Sequence, residues 1–151
     1  MKKLILIYIL LCYINNISAQ SDSHVTTKTV DNLLYYLDIP KKYHLKDKII
    51  FINNSNYYIG LVSIAICENG QFIPLGSNTG LIPGKEYDIV SYKNNELKTL
   101  RKKKIAIKLK GFKSILSNQD SEFININSNE LKIRASENRH DLVIEVFNSL
   151  F

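Results

Sequence analysis

Catalysis in this chain would have to be built around three histidines, His24, His44 and His140. A Ser, Thr or Cys nucleophile needs a base beside it, and imidazole is the usual one. His24 falls in the polar stretch Gln20–Thr29, and the other two lie in turn-like surroundings rich in Lys and Asp. His140-Asp141 could open a metal site, but ligands at i and i+1 point apart and no Cys or His cluster joins them. The six glycines are scattered singly, which leaves no loop to cradle a phosphate. Cys67 closes the apolar run Ile64-Ala65-Ile66-Cys67 and reads as a packed thiol. The expectation is a protein that is not an enzyme and uses no cofactor and no metal.

Binding chemistry is better represented. The chain carries 20 Lys+Arg against 14 Asp+Glu, a net charge of +6. Without Lys2 and Lys3 the balance is 18 against 14, or +4. Between residues 98 and 113 stand Lys98, Arg101, Lys102, Lys103, Lys104, Lys108, Lys110 and Lys113 with no acid among them. That window alone is +8, so the remainder after residue 19 is −4. A ridge of this kind attracts anionic polymers or headgroups by steering and counterion release. The competing explanation is that lysines protect an exposed edge strand from pairing with another chain. No aromatic alternates with these lysines along Lys104–Lys110, which argues against base stacking and specific nucleic-acid recognition. A second surface is aromatic: Tyr35, Tyr36, Tyr43, Tyr57 and Tyr58, read either as contact residues or as core and rim packing.

The N-terminus carries an address. Met1-Lys2-Lys3 is followed by an apolar run from Leu4 to Ile14, then by Asn15-Asn16-Ile17-Ser18-Ala19. Charge, a short apolar run and a small residue make a secretory signal peptide, with cleavage expected after Ala19. Eleven apolar residues are too few for a permanent span, which takes roughly 20. Cys12 lies within the apolar run behind Leu11, the wrong place and neighbour for lipidation. The division expected is 1–19 signal peptide, 20–47 leader and N-terminal segment, and 48–151 β-sandwich, in a secreted or periplasmic protein that does not span a membrane once mature.

The elements that would position these residues are mostly strands. Val30, Leu33, Leu34 and Leu37 fall at i, i+3, i+4 and i+7, which predicts a short helix stopped by Pro40, although Tyr35-Tyr36 suit an extended segment equally. From Lys48 the period becomes two: Lys48–Asn53, Tyr57–Cys67, Phe72–Ser77, Glu86–Tyr92 and Lys104–Lys110 read as strands. Asn53-Asn54-Ser55-Asn56 and Asn69-Gly70 supply turns, and Pro83-Gly84 a type II turn. Asn53-Asn54-Ser55 also fits the glycosylation acceptor pattern but is read here as turn chemistry. Glu96–Lys103 predicts a second short helix of a single turn or two, with Leu97 and Leu100 at i and i+3. Phe123–Asn127 and Leu131–Arg134 are expected to pair around Ser128-Asn129, and Leu142–Phe147 forms the last strand after the turn at Asn138–Asp141.

Seven or eight short strands with regular turns predict an antiparallel β-sandwich. The progression Ile52-Asn53-Asn54-Ser55, then Leu81-Ile82-Pro83-Gly84-Lys85-Glu86-Tyr87, then Lys104–Lys110 resembles small secreted immunoglobulin-like sandwiches of bacteria. The resemblance implies an all-β immunoglobulin-like architecture over the last hundred residues or so and carries no functional residue with it. The Cys…Trp…Cys core of antibody-type domains is absent, there being no Trp. The function expected is a non-catalytic binding module for an anionic glycan, a lipopolysaccharide or another anionic ligand. The alternatives are an accessory protein docking on a protein partner and, last, an enzyme or inhibitor without a familiar motif.

Overall fold

The computed structural model describes residues 28–46, 48–91, 99–115 and 122–149. The expected signal peptide with its cleavage point, residues 20–27 of the expected leader, and Lys98 lie outside these residues. The described chain is all-β. Its strands are β1 (Thr29–Val30), β2 (Asn32–Asp38), β3 (Lys48–Asn54), β4 (Tyr57–Glu68), β5 (Gln71–Leu81), β6 (Lys85–Ser91), β7 (Lys104–Ser114), β8 (Ile126–Asn127), β9 (Leu131–Asn138) and β10 (Asp141–Asn148). One sheet runs β2-β7-β4-β5 and the other β6-β3-β10-β9, with β1-β8 as a small extra pair.

Alternation along each strand builds the sandwich, because successive side chains point to opposite faces. On β3 the buried positions are Ile49, Phe51 and Asn53; on β7 they include Ile105, Ile107 and Leu109. Both four-stranded sheets contribute to a single buried cluster in which Phe51, Leu142 and Ile144 join Ile64, Ile107 and Phe112. The described strands and this core include β2 and Ile39 and Leu45, so the sandwich also draws on residues ahead of Lys48.

Two expectations need correction and a third is met only in part. The segment holding Val30, Leu33, Leu34 and Leu37 is a strand, β2, rather than a helix. Leu33 pairs with Leu109, Tyr35 with Ile107 and Leu37 with Ile105, so the same leucines satisfy a period of two once a ladder is offered. At the second predicted helix only Thr99-Leu100 show helical geometry, a 3-10 turn, followed by a turn at Arg101-Lys102; Glu96 to Lys98 lie outside the described residues. β8 pairs with β1 rather than with β9, and β9 pairs with β10. One ladder also departs from an antiparallel plan, since β10 runs parallel to β3, with Leu142 opposite Ile49 and Val146 opposite Asn53.

A buried amide joins the two sheets. Asn53, with 0% exposure, ends the inward row of β3. Its Nδ2 donates to the carbonyls of Tyr57 (2.9 Å) and Leu81 (3.0 Å), and its Oδ1 accepts from the Ser55 N–H (3.1 Å) and Oγ (2.6 Å). The Gly84 N–H donates to the Asn53 carbonyl at 2.6 Å. The turn is therefore built from this side chain, which leaves Asn53 no access to solvent.

On the outer side of β10, Glu145 accepts from Asn54 Nδ2 (2.8 Å) and Arg134 Nε (2.7 Å). The hydrogen bond from Asn54, then Arg134, holds its carboxyl below the usual carboxylate range against the opposing effect of burial. A carboxyl depressed on folding stabilises the fold above its unfolded pKa, and the contribution fades as pH falls through the folded value. Glu145→Gln should accordingly lower the melting temperature at neutral pH and narrow its gap to the parent protein towards about pH 2, read by thermal melts across that range. Asn53→Ala should cost about 3 kcal/mol in denaturant unfolding, because two buried carbonyls lose their donor.

Candidate functional site

The basic segment occupies the middle of a sheet. β7 lies between β2 and β4, paired antiparallel with both. Edge protection therefore does not explain its lysines. The edges are managed elsewhere. On β5, Pro74 faces Ala65 and a bulge interrupts the register next to it, two devices that blunt an edge. On β9, the Glu130 carbonyl accepts from Ser149 on the β10 side, so those of Leu131 and Ala135 turn outward by alternation. The hydroxyls of Tyr35 (2.9 Å) and Tyr43 (3.2 Å) donate to these two carbonyls.

The structure divides the eight predicted site residues. Lys98 lies outside the described residues. Arg101 and Lys102 sit in the turn before β7, where Lys102 takes φ 65° and its N–H donates to the Ile39 carbonyl (3.0 Å). Lys103 Nζ pairs with Glu68 Oε2 at 3.2 Å. Lys104, Lys108 and Lys110 project from the outer face of β7, opposite Asp38, Leu34 and Asn32 of β2 in turn.

Lys113 would fall on the inner face if alternation were unbroken. It faces outward because the alternation slips by one residue on both strands at once. Buried positions on β7 run Ile105, Ile107, Leu109 and then Phe112; on β4 they run Ile66, Ile64, Val62 and then Ile59. The register itself holds, Leu61 opposite Lys110 and Ile59 opposite Phe112. Gly60 and Gly111 lie side by side at the slip, Gly111 with φ +75°. The Phe123 ring covers them, 3.0 Å from where a Cβ on Gly111 would stand.

This slip brings aromatic rings to the lysines. Lys113 Nζ lies 4.7 Å from the centroid of Phe123 and 5.7 Å from that of Tyr58, within cation–π range. The lack of aromatics along Lys104–Lys110 therefore does not describe the surface, since β4 and the approach to β8 supply them. The sequence signal that could have found them is the pair of lone glycines within strands, which marks close approach of another group. Among the described residues no carboxylate comes within 4.0 Å of Lys104, Lys108, Lys110 or Lys113. At about 3.4 Å per residue, Lys108 and Lys110 stand about 7 Å apart along the strand.

The other candidates are structural. Tyr35 and Tyr43 cap β9, and Tyr57 donates to the Glu130 carboxylate and packs edge-on against Phe112. Burial, and then Glu130, push the Tyr57 hydroxyl up to about 12, and burial raises that of Tyr35. Both stay protonated donors at neutral pH. His140 Nδ1 bonds the His44 carbonyl at 2.9 Å, and the His44 N–H bonds Glu137 (3.1 Å), tying the β9–β10 turn to the segment before β3. Cys67 is half-buried on the outer row opposite Lys104, whereas a packed core thiol was expected. Among the described residues no group of three His, Cys, Asp or Glu gathers as a metal site would need, and no helix is long and apolar enough to cross a membrane.

Comparison with protein-family models, with curated proteins and with solved structures finds no match to this chain. The face must be interpreted from its own geometry. Gly111→Ala should destabilise the protein by about 1–2 kcal/mol from the left-handed backbone alone, and by more as the new methyl meets Phe123, measured by denaturant unfolding.

Proposed function

We propose that this chain is a non-catalytic binding module of a secreted or periplasmic protein, taking an anionic ligand on the outer face of the β2-β7-β4-β5 sheet. One observation carries the reading. Lys108, Lys110 and Lys113 project in a row from a central strand, with no carboxylate in ion-pair range among the described residues. A solvated face usually mixes the two signs of charge, and like charges gathered on one face repel. An anionic ligand removes that repulsion by replacing condensed counterions. The apolar N-terminal run supports the compartment, and the absence of a familiar nucleophile and base supports a non-catalytic role.

The immunoglobulin-like reading of the fold belongs to the same proposal. β3 pairs with β6 in one sheet and β4 with β7 in the other, as the B–E and C–F strands pair in such sandwiches. β2 stands in the place of the final strand of that plan, and β10 beside β3 in the place of the first.

Binding of residues 20–151 to heparin and to polyphosphate, at low and moderate salt, tests the surface. For three engaged lysines the affinity should fall roughly twenty- to fortyfold between about 50 and 200 mM salt. A folded variant with Lys108→Glu, Lys110→Glu and Lys113→Glu should lose it. Binding that ignores salt and survives the triple variant would discard the surface.

A further inference from the structure

The lysine face is not uniformly polar. Seven large apolar side chains are exposed among the described residues, and three of them, Leu34, Phe123 and Ile115, gather along the Lys108–Lys113 half of β7. Leu34 (37% exposed) lies opposite Lys108, and Ile115 (53%) follows Lys113 by two residues. Phe123 (61%) lies on the Gly60–Gly111 pair, and the bridge from its neighbour Ile124 to Phe112 holds it there. Cationic and apolar groups thus interleave: Leu34 with Lys108, Leu61 with Lys110, then Phe123, then Lys113 with Tyr58, then Ile115.

The apolar members discriminate among anionic ligands. A hydrated acidic polysaccharide or a single nucleic-acid strand would satisfy the ammonium groups and leave Leu34 and Ile115 in water. The Phe123 and Tyr58 rings are engaged by the Lys113 ammonium, so they form no row of free faces on which successive bases stack. The boundary of a bilayer offers both phases at once. Headgroup phosphates meet the lysines, whose stems reach past apolar neighbours, while Phe and Ile enter the acyl margin and Tyr sits at the level suited to an amphipathic ring. Resting on the anion-binding reading above, we propose that this face docks on an anionic lipid surface. Phe123 and Ile115 enter the headgroup–acyl margin, and Lys108, Lys110 and Lys113 pair with headgroup phosphates.

The chain contains no Trp, so Phe123→Trp introduces a single local reporter. In residues 20–151, its emission should shift to the blue with vesicles of phosphatidylcholine mixed with phosphatidylglycerol, and stay unshifted with phosphatidylcholine alone. Lys108→Gln, Lys110→Gln and Lys113→Gln together should weaken vesicle partitioning about a hundredfold, the loss expected when three lysines at an anionic surface are neutralised. Ile115→Ser, a change at the exposed end of β7, should weaken it several-fold without altering the melting temperature, which covers the case in which changes at Phe123 disturb the glycine pair. No shift on anionic vesicles, an equal shift on neutral ones, or partitioning unchanged by Ile115→Ser overturns lipid docking. Lysine-dependent heparin binding with an unshifted reporter would reject the lipid and keep the anion-binding face. Failure with heparin and with vesicles alike would reject both.

Discussion

A chain that builds two facing sheets must leave one and enter the other, and at each crossing the ladders stop serving the backbone's donors and acceptors. Two crossings lie side by side here, β3 into β4 and β5 into β6, and the Asn53 amide serves both. An amide is suited to the place because it donates twice and accepts twice within one small side chain. Its bonds to Tyr57 and Leu81 hold the start of β4 and the end of β5 against the end of β3. β4 in turn sets the register of β7, from Tyr57 opposite Ser114 to Cys67 opposite Lys104. The position of every lysine on the outer face is thus referred back to one buried polar group at the far end of the other sheet's strand.

The fold also frees β7 from the duties of an edge strand. Strand edges are where a β protein meets unwanted partners, and both examples described above are handled by other means: proline and a bulge on β5, tyrosine hydroxyls on β9. An interior strand has its backbone satisfied on both sides, so its outward side chains carry no burden of protecting it. The glycine pair at 60 and 111 then lets one face gain a cation that strict alternation would have sent into the core. Phe123 restores the cover that two missing side chains leave open.

Much of this was legible in the residues. Ile105, Ile107 and Leu109 against Lys104, Lys108 and Lys110 placed β7 and its two faces correctly, and Asn69-Gly70 and Asn138–Asp141 placed two hairpins. Alternation is a local property, which is why it could be read without partners. Pairing is not local. Leu33 and Leu37 satisfy a strand's spacing as well as a helix's, while Leu34 fits only the helical one, and only the ladder offered by β7 decides between them. The misassigned partner of β8 has the same origin: Ser128-Asn129 turn the chain as expected, but β9 is taken by β10. At the site, the charge run found the strand, but Tyr58 was read as part of a separate aromatic surface and Phe123 was missed; both reach Lys113 only through the pairing of β4 and β7 and the cover over the glycines.

The parallel ladder between β3 and β10 bears on the order in which the molecule can come into being. β10 is the last strand of the described chain, yet it lies inside its sheet, with β3 on one flank and β9 on the other. Until residues 141–148 have left the ribosome, β3 has no neighbour on that side, and Ile49 and Phe51 lack Leu142 and Ile144 as ladder partners. The sandwich therefore closes only once β10 has followed the other described strands, rather than strand by strand.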